Sequence, residues 1–487
     1  MQPQQAEARP GSVRSSLRWS MVDTVLQQAV RFAVTVVLTR LVAPSEFGLI
    51  AMALVFVQLA SLVGDLGLGP ALVQRKVVER IHITTATGAT AIFGAVLAAL
   101  LIVLAAPIAH VYGEPRLVPV LQVLGFTYVM RGIAGVPRDL IRKAMRFDLF
   151  ALASGISIGV SGVVALILAF RGAGVWALVI QVLIEAVLAA LCATTLAWKV
   201  GVWKPGWRID MNVLRELMGF GVFVSAARVG GYAASNIDNF IVGKVLGPLS
   251  LGLYNLAYRL MLFPILKVAD VVASVTMPAL SRLQDDREAL IAAHRKSIGL
   301  TFALCLPASI GTAIAAPVLI PAVFGTAWLA SVGCVQVLGV NGVRLTLNRL
   351  NGSVFQATGN PKWDLIVTAL TFVAYLVGFL IAVKHGIVAA AWAFTIAGHL
   401  LVPLDLYLCK RVLKTKLTRL FSDVGPVVLA TIVMSAAAIA VVHFSADFGY
   451  QARAALVMAT AAVVYAGALM LFAPKLVGSF KSLAKRS

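Results

Sequence analysis

LTRLVAPSEFGLIAMA, residues 38–53, and VGKVLGPLSLGLYNLA, residues 242–257, are two versions of one phrase. Each carries a basic residue, then a proline, then Gly-Leu at the same spacings, and long apolar runs flank both. Proline cannot continue a helix and glycine relaxes a turn, so each phrase reads as a tight connection between two apolar helices. Outward from them the echo continues in order. PALVQR at 70–75 is answered by PALSRL at 278–283, AAP at 105–107 by AAP at 315–317, and VYG at 111–113 by VFG at 323–325. QVLG at 122–125 returns at 336–339, RFDL at 146–149 returns as KWDL at 362–365, and WAL at 176–178 returns as WAF at 392–394. Short matches in one order, with a slowly drifting offset, predict a duplicated lobe.

Composition says what the lobe is made of. The 487 residues are 60% hydrophobic and 13% charged, against roughly 45–50% and about 25% in soluble domains. Apolar windows of the length that spans a bilayer recur along the whole chain. Fourteen are expected: 19–42, 46–68, 84–106, 117–137, 149–170, 174–198, 217–243, 248–275, 297–317, 327–348, 362–383, 387–409, 424–443 and 451–473. They are too long and too continuously apolar for the alternating strands of a membrane barrel. The predicted fold is an all-α integral membrane protein. Two parallel six-helix lobes, 19–198 and 217–409, are joined by a linker at 199–216, with two extra helices within 424–473 outside the repeat. Six spans per lobe is an even number, so both lobes insert the same way up around a central cavity that opens alternately to either side. Residues 1–18 read as a polar cytoplasmic tail without a cleavable signal, and 474–487 as a basic one.

The net charge of +21 is mostly topology. With a cytoplasmic N-terminus, 29 of the 41 Lys and Arg residues fall in cytoplasmic segments and six in periplasmic loops. That is the positive-inside bias, and it places both termini in the cytoplasm without invoking nucleic acid. Cys192, Cys305, Cys334 and Cys409 are scattered through apolar windows with no metal-ligand spacing and read as packing residues. No P-loop or HExxH motif is present, and the periplasmic loops are short. The sequence therefore predicts a transporter with no cofactor, not an enzyme.

Charges inside hydrocarbon are costly and usually functional. Arg31, Arg228 and Arg259 fall near the middle of spans 1, 7 and 8, while Arg131, Lys267 and Arg344 lie nearer cytoplasmic ends, where snorkelling is the plainer reading. Helical spacing groups Asp23, Gln27 and Arg31 on one face of span 1. It groups Arg228, Tyr232, Ser235, Asn236 and Asn239 on span 7, Asn255, Arg259 and Asp270 on span 8, and Asn341, Arg344 and Asn348 on span 10. Such stripes either glue helices together or line a wet cleft. The arginines suit an anionic phosphate head and the amides and hydroxyls suit sugar. Their alternative is internal ion pairing with Asp65, Asp238, Asp270 or Asp405. The expected substrate-facing set is Arg31, Arg228, Arg259, Asn236, Asn255, Gln27 and Arg344. Asp65, Asp238, Asp270 and His399 are the candidates for coupling to Na⁺ or H⁺, although a mid-span histidine is more often simply hydrogen-bonded.

RLVAPSEFGLIAMALVF at 40–56 and DLGLGPALVQR at 65–75 resemble the opening of bacterial Wzx-type polysaccharide flippases, colanic-acid exporters most of all. These belong to the superfamily that also holds lipid II flippases and MATE drug exporters. The resemblance implies two six-helix lobes plus two C-terminal helices in the bacterial inner membrane. It implies a cargo of undecaprenyl-pyrophosphate-linked oligosaccharide, flipped by a monomer that serves a polysaccharide polymerase and its chain-length regulator. It also implies cationic cavity residues on spans 1, 7 and 8, the spans of Arg31, Arg228 and Arg259. Two alternatives compete. A MATE-like exporter of cationic drugs calls for an acidic or aromatic cavity and twelve spans. A membrane polysaccharide polymerase calls for large periplasmic loops.

Overall fold

The computed structural model describes the backbone except at residues 1–9, 65–67, 76, 145, 205, 207, 284–285, 475, 477 and 479–487. Side chains are further left undescribed at 10–25, 60–61, 63–64, 70, 147, 218–230, 233–235 and 263–282. Asp23, Asp65, Arg228, Ser235, Lys267 and Asp270 thus lie outside the described residues. The described residues form helices and no strand, in two compact units, 1–249 and 250–487.

The first unit holds α1 (Pro10–Leu41), α2 (Pro44–Gly64), the short α3 (Leu68–Gln74), α4 (Arg80–Tyr112), α5 (Leu117–Lys143), α6 (Phe147–Phe170), α7 (Val175–Lys199) and the start of α8 (Met211–Arg282). Its most extensive packing joins α4 to α5, followed by α6 to α7, α5 to α7 and α1 to α6. The close approach of α4 and α5 has a local cause. A Cβ built on Gly94 would lie 2.5 Å from the Tyr128 carbonyl oxygen, and one on Gly132 would lie 2.4 Å from that of Thr90. Bare glycines let the backbones touch, as small residues do at membrane helix interfaces. Thr90 Oγ1 then donates across the seam to the Gly132 carbonyl at 2.8 Å.

The linker expected between the lobes is stitched to α4. Trp203 Nε1 donates to Thr87 Oγ1 at 3.1 Å, Thr85 Oγ1 donates to the Arg208 carbonyl at 3.3 Å, and the Asp210 amide donates back to Thr85 Oγ1 at 3.1 Å. Buried Trp203 packs among Ala86, Ala89, Leu140 and Leu217. Nearby, Lys143 Nζ donates to the carbonyls of Leu72 and Arg75 at 2.8 and 2.6 Å. It thereby satisfies the acceptors a short helix leaves at its C-terminus.

The second unit contains the end of α8 and then α9 (Arg287–Val323), α10 (Val332–Gly339), α11 (Gly342–Ala357), α12 (Pro361–Ala382), α13 (Ile387–Leu400), α14 (Val402–Leu413), the single turn α15 (Leu417–Leu420), α16 (Val424–Phe444) and α17 (Tyr450–Phe472). The last two pack on each other and on α9, with Tyr465 Oη donating to the Ala303 carbonyl at 2.6 Å.

The sequence repeats fall at matching structural stations. The first opening phrase spans the break between α1 and α2. The second spans a break inside α8 at Gly247, with φ 80° and ψ −179°. VYG ends α4 and VFG ends α9, each with its glycine at positive φ, 69° at Gly113 and 101° at Gly325. RFDL and KWDL open α6 and α12, while WAL lies in the first turn of α7 and WAF further inside α13, which begins at Ile387.

Ten described helices are long and apolar enough to cross a membrane, and α10 with the preceding turn and α11, bent by 44°, make an eleventh if counted as one span. Parts of windows 19–42, 46–68, 217–243 and 248–275 lie outside the described residues, and the described segment Asn236–Leu262 runs across the Gly247 break.

Candidate functional site

The first unit encloses a cavity of about 470 Å³ lined from α1, α2, α4, α5 and α7. Its polar wall consists of Arg31, Gln58, Tyr128, Arg131, Arg138 and Glu185; the rest is Leu, Val, Ala and Gly with Thr90. Arg31 from α1 is held bidentately by Glu185 from α7, Nη1 to Oε2 at 3.1 Å and Nη2 to Oε1 at 2.5 Å. The two side chains are 44% and 29% exposed, so the pair is wetted by the cavity rather than sealed from it.

Arg131 and Arg138 come from α5, two turns apart on its cavity side. Their position follows from how α5 is fixed. Tyr128 Oη donates to the carbonyls of Phe56 at 3.2 Å and Val57 at 2.6 Å, which ties α5 to α2. The glycine seam ties it to α4. Arg131 has no carboxylate partner among the described residues, and Arg138 lies with its guanidinium 5.0 Å from the Phe150 ring centre. Among the described residues the wall brings together three guanidiniums and one carboxylate. Such a wall can attract and orient a multivalent anion, because planar guanidinium donors match phosphate oxygens in pairs.

The expected site residues are distributed as follows. Arg31 is in this cavity. Gln27 lies one turn before it on α1 and is half-buried. Asn236 sits on α8 in the first unit, where its amide donates to the Tyr232 carbonyl at 3.0 Å and accepts from Asn239 at 3.3 Å. Asp238 beside it is buried and accepts from the Asn239 amide at 2.8 Å. In the second unit, Asn255 is half-buried and Arg259 exposed, both on α8.

Arg344 is buried in α11. Its guanidinium lies 5.2 Å from the centre of the Phe394 ring and 5.7 Å from that of Tyr375, with Nε donating to Asn341 Oδ1 at 3.3 Å. The Asn341 amide in turn donates to Thr395 Oγ1 at 2.7 Å. The stripe Asn341–Arg344 therefore joins α11 to α12 and α13 through rings and amides. His399 Nδ1 donates to the Thr395 carbonyl one turn back at 2.7 Å. Asp405 is buried and accepts from Asn351 Nδ2 at 2.8 Å. Among the described residues no group of three or more His, Cys, Asp or Glu side chains is placed to hold a metal.

Sequence reasoning passed over Glu185 and Gln58, assigned Arg131 to snorkelling and counted Arg138 with the cytoplasmic charges. A signal for Glu185 was present: it is the one acid inside the apolar run 175–198, and an intramembrane charge asks for a partner.

A profile of the polysaccharide biosynthesis protein family matches residues 37–333. The teichuronic acid biosynthesis protein TuaB of Bacillus subtilis is 26% identical over 456 residues, covering 92% of this chain and 93% of that protein. The lipopolysaccharide biosynthesis protein WzxC of Escherichia coli K12 is 24% identical, covering 77% of this chain and 76% of its own length. Among solved structures, a lipid II flippase in an inward closed conformation superposes with a TM-score of 0.74 at 13% identity, covering 94% of this chain and 99% of that one. That likeness establishes the fold.

Proposed function

The chain belongs to the polysaccharide biosynthesis protein family, and from that membership we propose that it flips lipid-linked oligosaccharide repeat units, carried on undecaprenyl pyrophosphate, from the cytoplasmic to the periplasmic leaflet. The observation that carries the reading is the cavity of the first unit, with Arg31, Arg131 and Arg138 facing one carboxylate. A diphosphate needs several guanidinium forks in one place, and this wall gathers three, of which Arg31 is paired with Glu185. Gln58 and Thr90 add neutral hydrogen-bonding groups for the first sugar. An exporter of cationic drugs would gain nothing from that charge, and the cavity disfavours it.

The rest of the reading follows from the charge asymmetry and the chemistry. Both termini are cytoplasmic. The protein works as a monomer in the bacterial inner membrane by alternating access. Asp65, Asp238, Asp270 and His399 are the residues to examine for coupling to Na⁺ or H⁺, and Arg228, Arg259, Asn236, Asn255, Gln27 and Arg344 for further contact with substrate. The product is handed to a polymerase and its chain-length regulator.

The test is complementation. The gene should restore surface polysaccharide to a strain lacking its own repeat-unit flippase. Arg131→Gln and Arg138→Gln should abolish restoration at unchanged membrane protein level. Full restoration by both variants together would remove the cavity from the pathway.

A further inference from the structure

A second cavity, of about 1140 Å³, opens where α14 runs into α15. It is independent of the transport reading, because it lies wholly in the second unit and contains none of the residues used above. Tyr407, Lys410, Arg411, Lys414, Lys416 and Arg419 converge on it, and its remaining lining is Thr415 and Thr418. All six named side chains are exposed, while Leu408, Leu413 and Leu420 between them are buried and pin the segment to the core of the unit.

The arch is built, not merely charged. Lys414 is the only non-glycine residue with positive φ among those described, at φ 45° and ψ 44°. A residue with a Cβ avoids that conformation unless its surroundings hold it there. Here Arg287 from α9 holds it, donating through Nε to the Leu413 carbonyl at 2.9 Å and through Nη2 to that of Lys414. Arg419 is clamped by Glu288 at 3.1 and 2.5 Å. That pairing uses one carboxylate on one cation and leaves Lys410, Arg411, Lys414 and Lys416 without an ion-pair partner among the described residues.

What the four cations face is indicated by the helix leading to them. Ile387–Leu413 is apolar enough to cross a membrane as one segment. Trp392, Ile396, Leu400 and Tyr407 follow at helical spacing on one exposed face, 50%, 61%, 71% and 55% exposed. Continued, that face reaches Arg411 and Lys414. A lipid-facing apolar track thus ends in a basic pocket at the membrane boundary, with an aromatic ring at the junction where interfacial tyrosines sit.

We propose that this pocket binds the phosphate head group of an anionic phospholipid whose acyl chains lie along the Trp392–Leu400 face. Positive-inside placement explains cations near a helix end. It does not explain a Lys held in the left-handed region so that four of them share one opening above an apolar track. The lipid would fasten the α14–α15 arch to the bilayer surface.

The experiment uses the purified full-length protein in nanodiscs. Retention of phosphatidylglycerol against phosphatidylcholine is read by native mass spectrometry, and the melting temperature is measured in each lipid. Inorganic phosphate and pyrophosphate are titrated in parallel. The expected result is preferential retention of phosphatidylglycerol, weakened roughly fivefold for each cation removed, so by about a hundredfold in K410Q/R411Q/K416Q. Lys414→Gly separates binding from folding. It relieves the left-handed strain, so it should melt at or above the parent temperature in phosphatidylcholine while losing roughly fivefold of the phosphatidylglycerol preference. An unchanged preference in Lys414→Gly and in the triple variant would overturn the proposal. So would phosphate or pyrophosphate displacing the lipid at equal concentration, since acyl contact would then contribute nothing.

Discussion

Glu185→Gln separates the two roles open to the Arg31–Glu185 pair. If the carboxylate is a placeholder that a substrate diphosphate displaces, removing its charge should tighten binding and slow release. The size follows from the geometry. Two unit charges about 4–8 Å apart interact by about 0.5–4 kcal/mol across effective dielectric constants of ~20–80. Side chains 44% and 29% exposed place this pair near the wet end of that range, at about 1 kcal/mol. Binding of a polyprenyl-diphosphate probe should therefore strengthen roughly fivefold, and the melting temperature should change little, because a half-exposed pair contributes at most about 1 kcal/mol to folding. The assay is a titration of undecaprenyl pyrophosphate into detergent-solubilised protein, read by quenching of intrinsic tryptophan fluorescence, alongside thermal melting and export in cells. Affinity should rise and export should fall. A loss of several kcal/mol in stability with unchanged affinity would refute the reasoning, because that is the signature of a structural pair whose removal strands a buried charge.

Further outcomes follow from packing and topology. Gly94→Ala and Gly132→Ala each force a Cβ to within 2.5 Å of a carbonyl oxygen across the α4–α5 seam and should cost about 1–3 kcal/mol of stability, whereas Gly135→Ala on the same helix, with nothing within 4 Å, should melt like the parent. Asn351→Leu removes the amide that serves buried Asp405 at 2.8 Å and should destabilise by about 1–3 kcal/mol; Asp405→Asn should be better tolerated, and equal melting of all three proteins would refute the pairing. Single cysteines at Thr326 and Asp286, both exposed, should react with an impermeant thiol reagent from the periplasm and not react, respectively; the reverse pattern would invert the orientation.

How much was readable in the chain depended on the range of the forces involved. A backbone in hydrocarbon must satisfy its own N–H and C=O groups, so each apolar window declares a helix without reference to any other. The duplication was legible for a similar reason. Gly113 and Gly325, or the paired openings of α6 and α12, are local stop and start signals, and they kept their order. Charge asymmetry is a sum along the sequence and needs no fold.

The cavity is a different kind of fact. Arg31 and Glu185 are 154 residues apart. They meet only because α1 packs on α6, α6 on α7, and α7 on α5. Arg131 and Arg138 turn from apparent surface charges into cavity residues because Gly94 and Gly132 let α5 press against α4 and Tyr128 ties it to α2. Spacing along one helix told which polar groups share a stripe, but it could not tell a stripe that ends on rings and amides, as at Arg344, from one that ends in water. Helical periodicity belongs to a single segment, whereas the partner of a charge is chosen by the packing of several. The all-helical membrane fold was therefore legible in the sequence alone, and the tertiary structure decided which charges face one another.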